Sequence, residues 1–333
     1  MDDAMTTGLP FDDYRSLLTK LPGPDEAAGA AARRRIERIA PADRLGLLGA
    51  LAVWLAEWSG RTPPTVNRPQ LAVFAGNHGV APHGAMVQPV STTAAIVEHC
   101  AAGGRPVNQI CVASDVGFKV YDLAIDMPTG DIGAEAAMDE KGCAATMAFG
   151  MEATAGGMDL LCVGSVGVGG EIAAAAVFAA ICGGSGVDWA IGSDGAATQR
   201  AALVDQALAT HRGHLSDPLE VLRRLGGREM AAIAGAILAA RAQKIPVLLD
   251  GDQAIAAARL LQAANPAALD HCRLATMPVD AALAKAARQL GLPTVLTLDV
   301  DLPEGAAAAL AVSTVRAAAL CLANVQPLII LEQ

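Results

Sequence analysis

Between residues 65 and 305, short and almost continuously apolar runs alternate with stretches of helical periodicity, and this alternation limits the possible folds most strongly. Strands that are apolar on both faces are typical of a parallel sheet covered by helices. The pattern therefore predicts an α/β fold with a doubly wound, mostly parallel sheet. The candidate strands are Leu71–Ala75, Lys119–Ile125, Leu160–Val166, Pro246–Asp250, Arg273–Met277 and Val295–Val300.

The first 64 residues follow a different pattern and are predicted to be helical. Apolar residues between Leu45 and Trp58 recur with a helical period and leave a wide apolar face, which needs a partner surface. Gly60-Arg61-Thr62-Pro63-Pro64 then interrupts the pattern. We therefore predict helices in residues 1–64, a large α/β domain in 65–305 and a C-terminal helical segment in 306–333.

Composition excludes several classes of partner. The chain of 333 residues has 24 Lys and Arg against 34 Asp and Glu, so a basic surface for nucleic acid is not expected. No uncharged apolar run approaches the roughly 18 residues that a membrane span requires, so no membrane partner is expected either. The first residues, Met1-Asp2-Asp3, do not begin a secretory leader, and a cytoplasmic location is predicted.

The cysteine and histidine spacing argues against metal binding. The 7 cysteines include no C-x-x-C pair and mostly lie in apolar runs, which favours buried reduced thiols. Five of the histidines show no ligand spacing: His83, His99, His211, His214 and His271. We therefore predict no metal site and no cofactor.

A glycine-rich segment, Gly164-Ser165-Val166-Gly167-Val168-Gly169-Gly170, begins in the last residues of the third candidate strand and continues beyond it. Backbone N–H groups exposed by glycine, together with a helix N-terminus, can bind an anion such as a phosphate. Glycine turns between a strand and a helix also occur without any ligand. The sequence by itself leaves both interpretations open.

Glu304 and His78 are the candidate chemical groups. Glu304 lies between Pro303 and Gly305 after the last candidate strand. A carboxylate that is desolvated there could act as a general base, or it could complement the dipole of the following helix. His78 could donate to a substrate or could hold its loop, and Gln88 is a possible hydrogen-bond donor to a ligand.

At these residues the chain resembles the nicotinate-nucleotide–dimethylbenzimidazole phosphoribosyltransferase family. The resemblance rests on motifs in the same order along nearly the whole chain: Val73-Phe74-Ala75-Gly76-Asn77-His78-Gly79-Val80, Pro128-Thr129-Gly130-Asp131-Ile132, Cys143-Ala144-Ala145-Thr146-Met147-Ala148-Phe149-Gly150-Met151 and Leu225-Gly226-Gly227-Arg228-Glu229.

The resemblance implies transfer of phosphoribose from nicotinate mononucleotide to 5,6-dimethylbenzimidazole, which releases nicotinate and forms α-ribazole phosphate in cobalamin biosynthesis. It also implies a homodimer and a small helical domain built from both chain ends. The family's catalytic glutamate falls on Glu304. The acceptor base is expected at Gln88, His78 and Val80, and the nucleotide phosphate at a set of small residues: Ser165, Gly167, Gly169, Gly170, Gly192 and Gly251.

Several of the candidate site positions depart from the family's pattern. Ser165 stands where relatives have an acid, Glu171 where they have a hydroxyl, Asp252 where they have an aromatic residue, and the segment from Met277 to Ala282 differs from theirs. Two interpretations therefore remain open. The chain is either a transferase, with the family's donor or an altered one, or a non-catalytic homologue that binds a benzimidazole-like base.

Overall fold

The computed structural model describes residues 9–40, 45–86, 88–192, 194–299 and 302–327. Its centre is a sheet of six parallel strands in the order β2-β1-β3-β4-β5-β6. The strands are β1 Pro69–Ala75, β2 Gly117–Asp122, β3 Leu160–Val166, β4 Val247–Leu249, β5 Cys272–Thr276 and β6 Thr294–Leu296. The predicted doubly wound parallel sheet is confirmed.

The strand bounds differ most from the prediction at the last strand. The sequence pattern extends it from Val295 to Val300, but the ladder with β5 ends at Leu296, and Val300 lies outside the described residues. The third strand was predicted with its observed bounds. The β4 strand is reduced to three residues, because its pairing with both neighbours stops at Leu249.

Helices connect the strands and cover both faces of the sheet. The helices are α1 Pro10–Thr19, α2 Glu26–Ile39, α3 Gly46–Ser59, α4 Thr92–Ala101, α5 Pro106–Ala113, α6 Glu140–Met151, α7 Gly170–Cys182, α8 Gly186–Trp189, α9 Ala197–Thr210, α10 Pro218–Leu225, α11 Arg228–Ala242, α12 Asp252–Ala264, α13 Ala281–Leu290 and α14 Ala306–Asn324.

Successive residues of each strand point to opposite faces, and two separate hydrophobic cores result. On β1, Ala72 and Phe74 belong to the core that α6, α7, α11 and α12 cover. Leu71 and Val73 belong to the core that α2, α3, α5 and α14 cover. Burial on both faces explains why the strand sequences are almost uninterruptedly apolar.

The three N-terminal helices pack on different faces of the sheet. The α1 helix lies on the first face, where the Tyr14 hydroxyl donates to the Ala144 carbonyl at 2.8 Å. The α2 and α3 helices lie on the other face, where they pack with α14 from the far end of the sequence. Helices from both chain ends therefore do meet, while the domain limits at residues 64 and 305 stay predictions.

The apolar face of α3 finds its partner within the chain. Leu51, Trp54 and Trp58 are almost fully buried, and the Trp54 indole N–H donates to the His271 carbonyl at 3.3 Å. This packing buries most of the apolar face of α3 within the chain, so that face gives little support for an interface between subunits.

One helix, α14, is long and apolar enough to cross a membrane by length and composition. Its residues Ala308, Val312 and Val315 are fully buried against the sheet and α3, and the single charge of Arg316 binds backbone carbonyls at the surface. Those contacts are typical of a core helix in a globular protein.

Candidate active site

A cleft of about 300 Å³ opens at the carboxyl edge of the sheet. The connection from β1 leads to β2 on one side and that from β3 leads to β4 on the other. The loops that follow β1 and β3 therefore separate and leave a crevice, where ligands of open α/β sheets bind. The walls include Gln88, Thr92 and Ser165, and the segment around Pro303 and Glu304 closes one side.

Glu304 lies in the wall of this cleft with only 2% of its surface exposed. Its backbone is in the left-handed region (φ 63°), and so is that of Gly305 (φ 76°). Gly305 packs directly on β3, because a Cβ added to Gly164 would lie 2.5 Å from the Gly305 nitrogen. This close contact fixes the carboxylate relative to the centre of the sheet.

Arg105 holds the Glu304 carboxylate. Its Nη2 donates to Oε1 at 2.6 Å and its Nε to Oε2 at 3.3 Å, so both oxygens accept from one guanidinium. Two hydrogen bonds fix the plane of the carboxylate as well as its charge. The Arg105 side chain remains 27% exposed, while that of Glu304 is 1% exposed. The cation is therefore partly hydrated, and the acid is not.

His78 lies behind the cleft rather than in its wall. Its Nε2 is 2.9 Å from Oε1 of Glu229, and both side chains are 1% exposed. Burial opposes the charged imidazole, but the Glu229 carboxylate outweighs it and raises the pKa of His78. The sequence left two uses open for this residue, and the geometry favours holding its loop. Val80 is likewise buried and packs near Gly169. Direct contact of His78 or Val80 with an acceptor base stays a prediction.

Glu171 and Asp252 bring two further carboxyl groups to the cleft. Burial raises the pKa of Glu171, and the nearby Asp252 adds to this increase. Burial also raises the pKa of Asp252, with a further contribution from Glu229. Glu171, Asp252 and Glu229 are first-turn acids of α7, α12 and α11, respectively. All three helices begin at this edge of the sheet.

The residues predicted to bind the nucleotide fall into two places. Ser165, Gly167 and Gly170 line the cleft together with Gln88, and Gly169 lies at the N-terminus of α7. Gly192 and Gly251 instead line a second concavity of about 980 Å³. The two hollows share Asp252 and Pro303, so one elongated ligand could occupy both.

Arg105, Glu229 and Gln253 contribute to the site but were not predicted from the sequence as site residues. Arg105 is the residue just before α5 and reaches Glu304 across 199 positions. No local signal identifies such a pair. Glu229 and Gln253 are polar residues in the first turns of mostly apolar helices, and that contrast is a signal that could have singled them out.

Comparisons with known proteins agree with this geometry. A family model described as DBI_PRT, phosphoribosyltransferase, matches residues 21–328. The nicotinate-nucleotide–dimethylbenzimidazole phosphoribosyltransferase of Rhizobium meliloti is 56% identical over 320 residues, which is 95% of this chain and 94% of the relative. The enzyme of the same name from Allorhizobium ampelinum is 57% identical over 318 residues, 94% of this chain and 93% of that one.

The chain belongs to the nicotinate-nucleotide–dimethylbenzimidazole phosphoribosyltransferase family. The crystal structure of the Thermus thermophilus protein of that name superposes with a TM-score of 0.82 at 31% identity, covering 89% of this chain and 96% of that one. The resemblance first noticed in the motifs is thereby confirmed, and so is the α/β fold that it implied. In this member of the phosphoribosyltransferase family, Glu304, which is predicted to be the catalytic glutamate, lies in the cleft wall.

Proposed function

We propose that the chain transfers phosphoribose from nicotinate mononucleotide to 5,6-dimethylbenzimidazole, giving α-ribazole phosphate and nicotinate. The observation that carries the proposal is the position of Glu304, which is buried yet lines a cleft with apolar walls. Membership of the family supports the same reaction.

Glu304 would accept the N–H proton of the acceptor base. The nitrogen that attacks donates its electron pair to C1 of the ribose, and loss of the N–H proton at the other nitrogen keeps the product neutral. The Glu304 carboxylate lines the cleft, which is the position that a general base needs to reach an N–H group of a base bound there. The Arg105 guanidinium is partly exposed, so water can solvate it when Glu304 becomes neutral.

The leaving group needs little help from the protein. The bond between C1 of the ribose and the pyridinium nitrogen breaks, and its electron pair stays on that nitrogen, which neutralises the ring. The main tasks of the cleft are therefore to align the donor with the acceptor and to exclude water. Apolar residues such as Met86, Ile96 and Val168 in the cleft wall serve both tasks.

We assign the donor phosphate to the larger concavity, because a basic side chain is among its described lining residues and none is among those of the cleft. Lys285 lines the larger hollow beside Gly192 and Gly251, although four acidic residues line it as well: Asp188, Asp250, Asp252 and Asp280. Arg200 lies directly under Gly192, since a Cβ added there would be 2.7 Å from its Nη2. Under this proposal the ribose bridges the two hollows.

Product analysis tests the reaction. Purified protein with both substrates should form α-ribazole phosphate, detected by chromatography, and release of nicotinate should require both substrates. Nicotinate release without the acceptor base would indicate hydrolysis instead. The absence of product at high enzyme concentration and saturating substrates would refute the proposal.

A second candidate function has one observation in its favour. Glu171 and Asp252 add negative charge to a cleft that would receive part of a phosphorylated donor, which favours a homologue that binds the base and has lost the donor. Calorimetry separates the two functions. Binding of dimethylbenzimidazole without any binding of nicotinate mononucleotide would favour the second.

A homodimer and a cytoplasmic location belong to the same proposal. The dimer follows from the family resemblance, and light scattering of the purified chain tests it, with a monomeric mass as the contradicting result. Phosphorylated substrates do not cross a bilayer unaided, which is why the reaction is assigned to the compartment where nucleotides are made. Fractionation of cells that express the tagged chain tests the location.

A further inference from the structure

Two buried side chains in the wall of the cleft each carry an oxygen atom without a hydrogen-bond partner. They are Gln253, with 2% of its surface exposed, and Glu229, with 1%. Among the described residues, nothing donates to Oε1 of Gln253 or to Oε2 of Glu229. Buried acceptors usually have a donor, because an unpaired one keeps the full cost of its lost hydration. The cleft therefore offers two acceptors to a ligand.

The protein fixes the orientation of the Gln253 amide. Its Nε2 donates to the Gly170 carbonyl at 2.7 Å. The reversed amide would place its oxygen against that carbonyl oxygen, and two acceptors repel each other at such a distance. The oxygen of Gln253 is thus directed away from Gly170, and only a ligand group with a hydrogen to donate can pair with it.

The free oxygen of Glu229 needs a hydrogen bond more than it needs a counter-charge. Nε2 of His78 is 2.9 Å from the other carboxylate oxygen, and the carboxylate raises the pKa of this imidazole. The buried acid therefore already has a cationic partner. A neutral O–H or N–H group suits Oε2, and a hydrogen bond to a carboxylate oxygen is stronger than one to a neutral acceptor.

The side chains of Gln253 and Glu229 meet at His78. A Cβ added to Gly170 would lie 2.9 Å from Nε2 of Gln253 and 3.5 Å from Nε2 of His78. A Cβ added to Gly227 would lie 2.9 Å from Oε2 of Glu229 and equally close to that same imidazole nitrogen. Glycine at both positions leaves these polar groups without an intervening side chain. The two acceptors therefore belong to one compact group in the cleft wall.

Two neighbouring acceptors suit a ligand with two neighbouring donors. The hydroxyl groups on C2 and C3 of a ribofuranose are such a pair, because they are cis on the ring. In other open α/β sheets a buried acid recognises ribose through its hydroxyl hydrogens. An ionised phosphate or carboxylate has no hydrogen to donate, and Glu229 would repel it. The chemistry of the two acceptors therefore favours a sugar diol.

The position of Gln253 agrees with a sugar. Asp252 lines both the cleft and the larger hollow. Gln253 is the next residue, in the first turn of α12, so its amide lies near the junction of the two hollows. Under the proposed function the ribose of the donor bridges these hollows, and it therefore passes the two acceptors.

We propose that Gln253 and Glu229 bind the cis-diol of a ribofuranose and so select ribose over its deoxy forms. The proposal rests on the proposed function for the identity of the sugar, which is the ribose of the donor and of the product. A ligand without one of the hydroxyls leaves a buried oxygen unpaired in the complex. Sites built to bind a hydroxyl discriminate strongly against an analogue that lacks it.

The test uses titration calorimetry with three probes and no turnover. The probes are α-ribazole, which is the product without its phosphate, and the 2′-deoxy and 3′-deoxy forms of α-ribazole. The ring of each probe has no N–H group, so the sugar hydroxyls are the only donors. The wild-type chain should bind α-ribazole roughly tenfold more tightly than either deoxy form. Equal binding of the three, or binding of none, would overturn the proposal, and this comparison requires no variant to fold.

Variants of similar side-chain length identify the residues responsible. Gln253→Met should abolish the preference for one of the two hydroxyls, and Glu229→Met should abolish the preference for the other. Gln109→Met is the matched control, because Gln109 is exposed and its Nε2 likewise donates to a glycine carbonyl, that of Gly103, at 3.0 Å. The control should keep both preferences. A Gln253→Met chain that also keeps both would contradict the proposal.

The diol site and the proposed function can fail separately. A chain that forms α-ribazole phosphate but binds the three probes equally would refute the diol site alone. A chain that prefers α-ribazole over both deoxy forms but forms no product would refute the reaction and leave the diol site standing.

Discussion

The two edges of the sheet carry opposite charges, and the reason differs between them. At the amino edge a hollow of about 290 Å³ is lined by Arg61, Arg68 and Lys244. Arg61 and Lys244 closely follow the C-termini of α3 and α11, where cations complement the helix dipoles. Helix ends account for most of this basic lining, and it requires no ligand.

At the carboxyl edge the same rule explains only part of the charge. Glu171, Glu229 and Asp252 lie in first turns of helices, where acids are favourable. However, Glu229 and the neighbouring Gln253 are buried and carry oxygen atoms without hydrogen-bond partners. Buried, incompletely paired acceptors are not needed to complement a helix. Burial and missing hydrogen-bond partners, rather than the sign of the charge, therefore distinguish a binding site from a helix end.

The largest effect is expected from Glu304→Gln. The variant keeps the shape of the side chain but cannot accept a proton, so product formation should fall by roughly 10²- to 10⁴-fold, the range of general acid–base catalysis. The rate of α-ribazole phosphate formation measures it. A rate near that of the wild type would show that Glu304, like the charged residues of the amino edge, has no catalytic role.

Glu229→Gln should have the largest effect on stability. Losing one partner of the buried pair with His78 should lower the free energy of unfolding by about 3 kcal/mol near about pH 6, measured by denaturant titration. The pKa of His78 is raised above 6.5, so the pair contributes fully below that pH and less as pH rises through the folded-state value. The difference between wild type and variant should shrink accordingly.

A matched control for that variant is Glu57→Gln. Glu57 pairs with Arg33 at 2.8 Å, but the Arg33 side chain is 53% exposed. The control should lose less than about 1 kcal/mol, as exposed ion pairs do. Equal losses for the two variants, or a loss at Glu229 that is independent of pH, would contradict the role assigned to the buried pair.

Arg105→Ala should reduce turnover by roughly tenfold with little change in KM, because the carboxylate of Glu304 then loses its fixed orientation. Arg105→Lys should recover part of the rate, since lysine restores the charge but not the two parallel hydrogen bonds. Steady-state kinetics with both variants measures this. A change confined to KM would place Arg105 in substrate binding rather than in positioning Glu304.

The smallest effect is expected at the amino edge. Lys244→Gln should lower the free energy of unfolding by about 0.5 kcal/mol, the usual size of a helix-dipole interaction, and should leave product formation unchanged. Thermal unfolding and the product assay measure the two quantities. A loss of activity would show that the amino-edge hollow takes part in function.

The fold could be predicted from the sequence because burial on both faces produces a pattern in each strand. Leu160–Val166 is apolar apart from Gly164 and Ser165, and its predicted bounds are the observed ones. The end of the last strand could not be predicted, because apolar residues continue past Leu296, where pairing with β5 has stopped. Hydrogen bonding to a neighbour, which ends a strand, is not visible in the strand's own sequence.

The site could be predicted only where its residues follow strands. Ser165 lies near the end of a strand candidate, Gly167 and Glu304 follow strand candidates, and the rule for open sheets locates all three at one edge. The pairing of Arg105 with Glu304 joins segments 199 residues apart and has no local pattern. The residue type of His78 does not reveal its use, and its pairing with Glu229 is visible only in three dimensions.

The contact between Gly305 and Gly164 has a consequence for the order of assembly. The strand that carries Gly164 is complete before the second half of the chain has been synthesised, whereas the group that docks on it comes from the last tenth. A ribosome-bound intermediate can therefore form most of the sheet, but its crevice remains open on one side. Competence for chemistry should emerge abruptly, as one of the final events in the biogenesis of the protein.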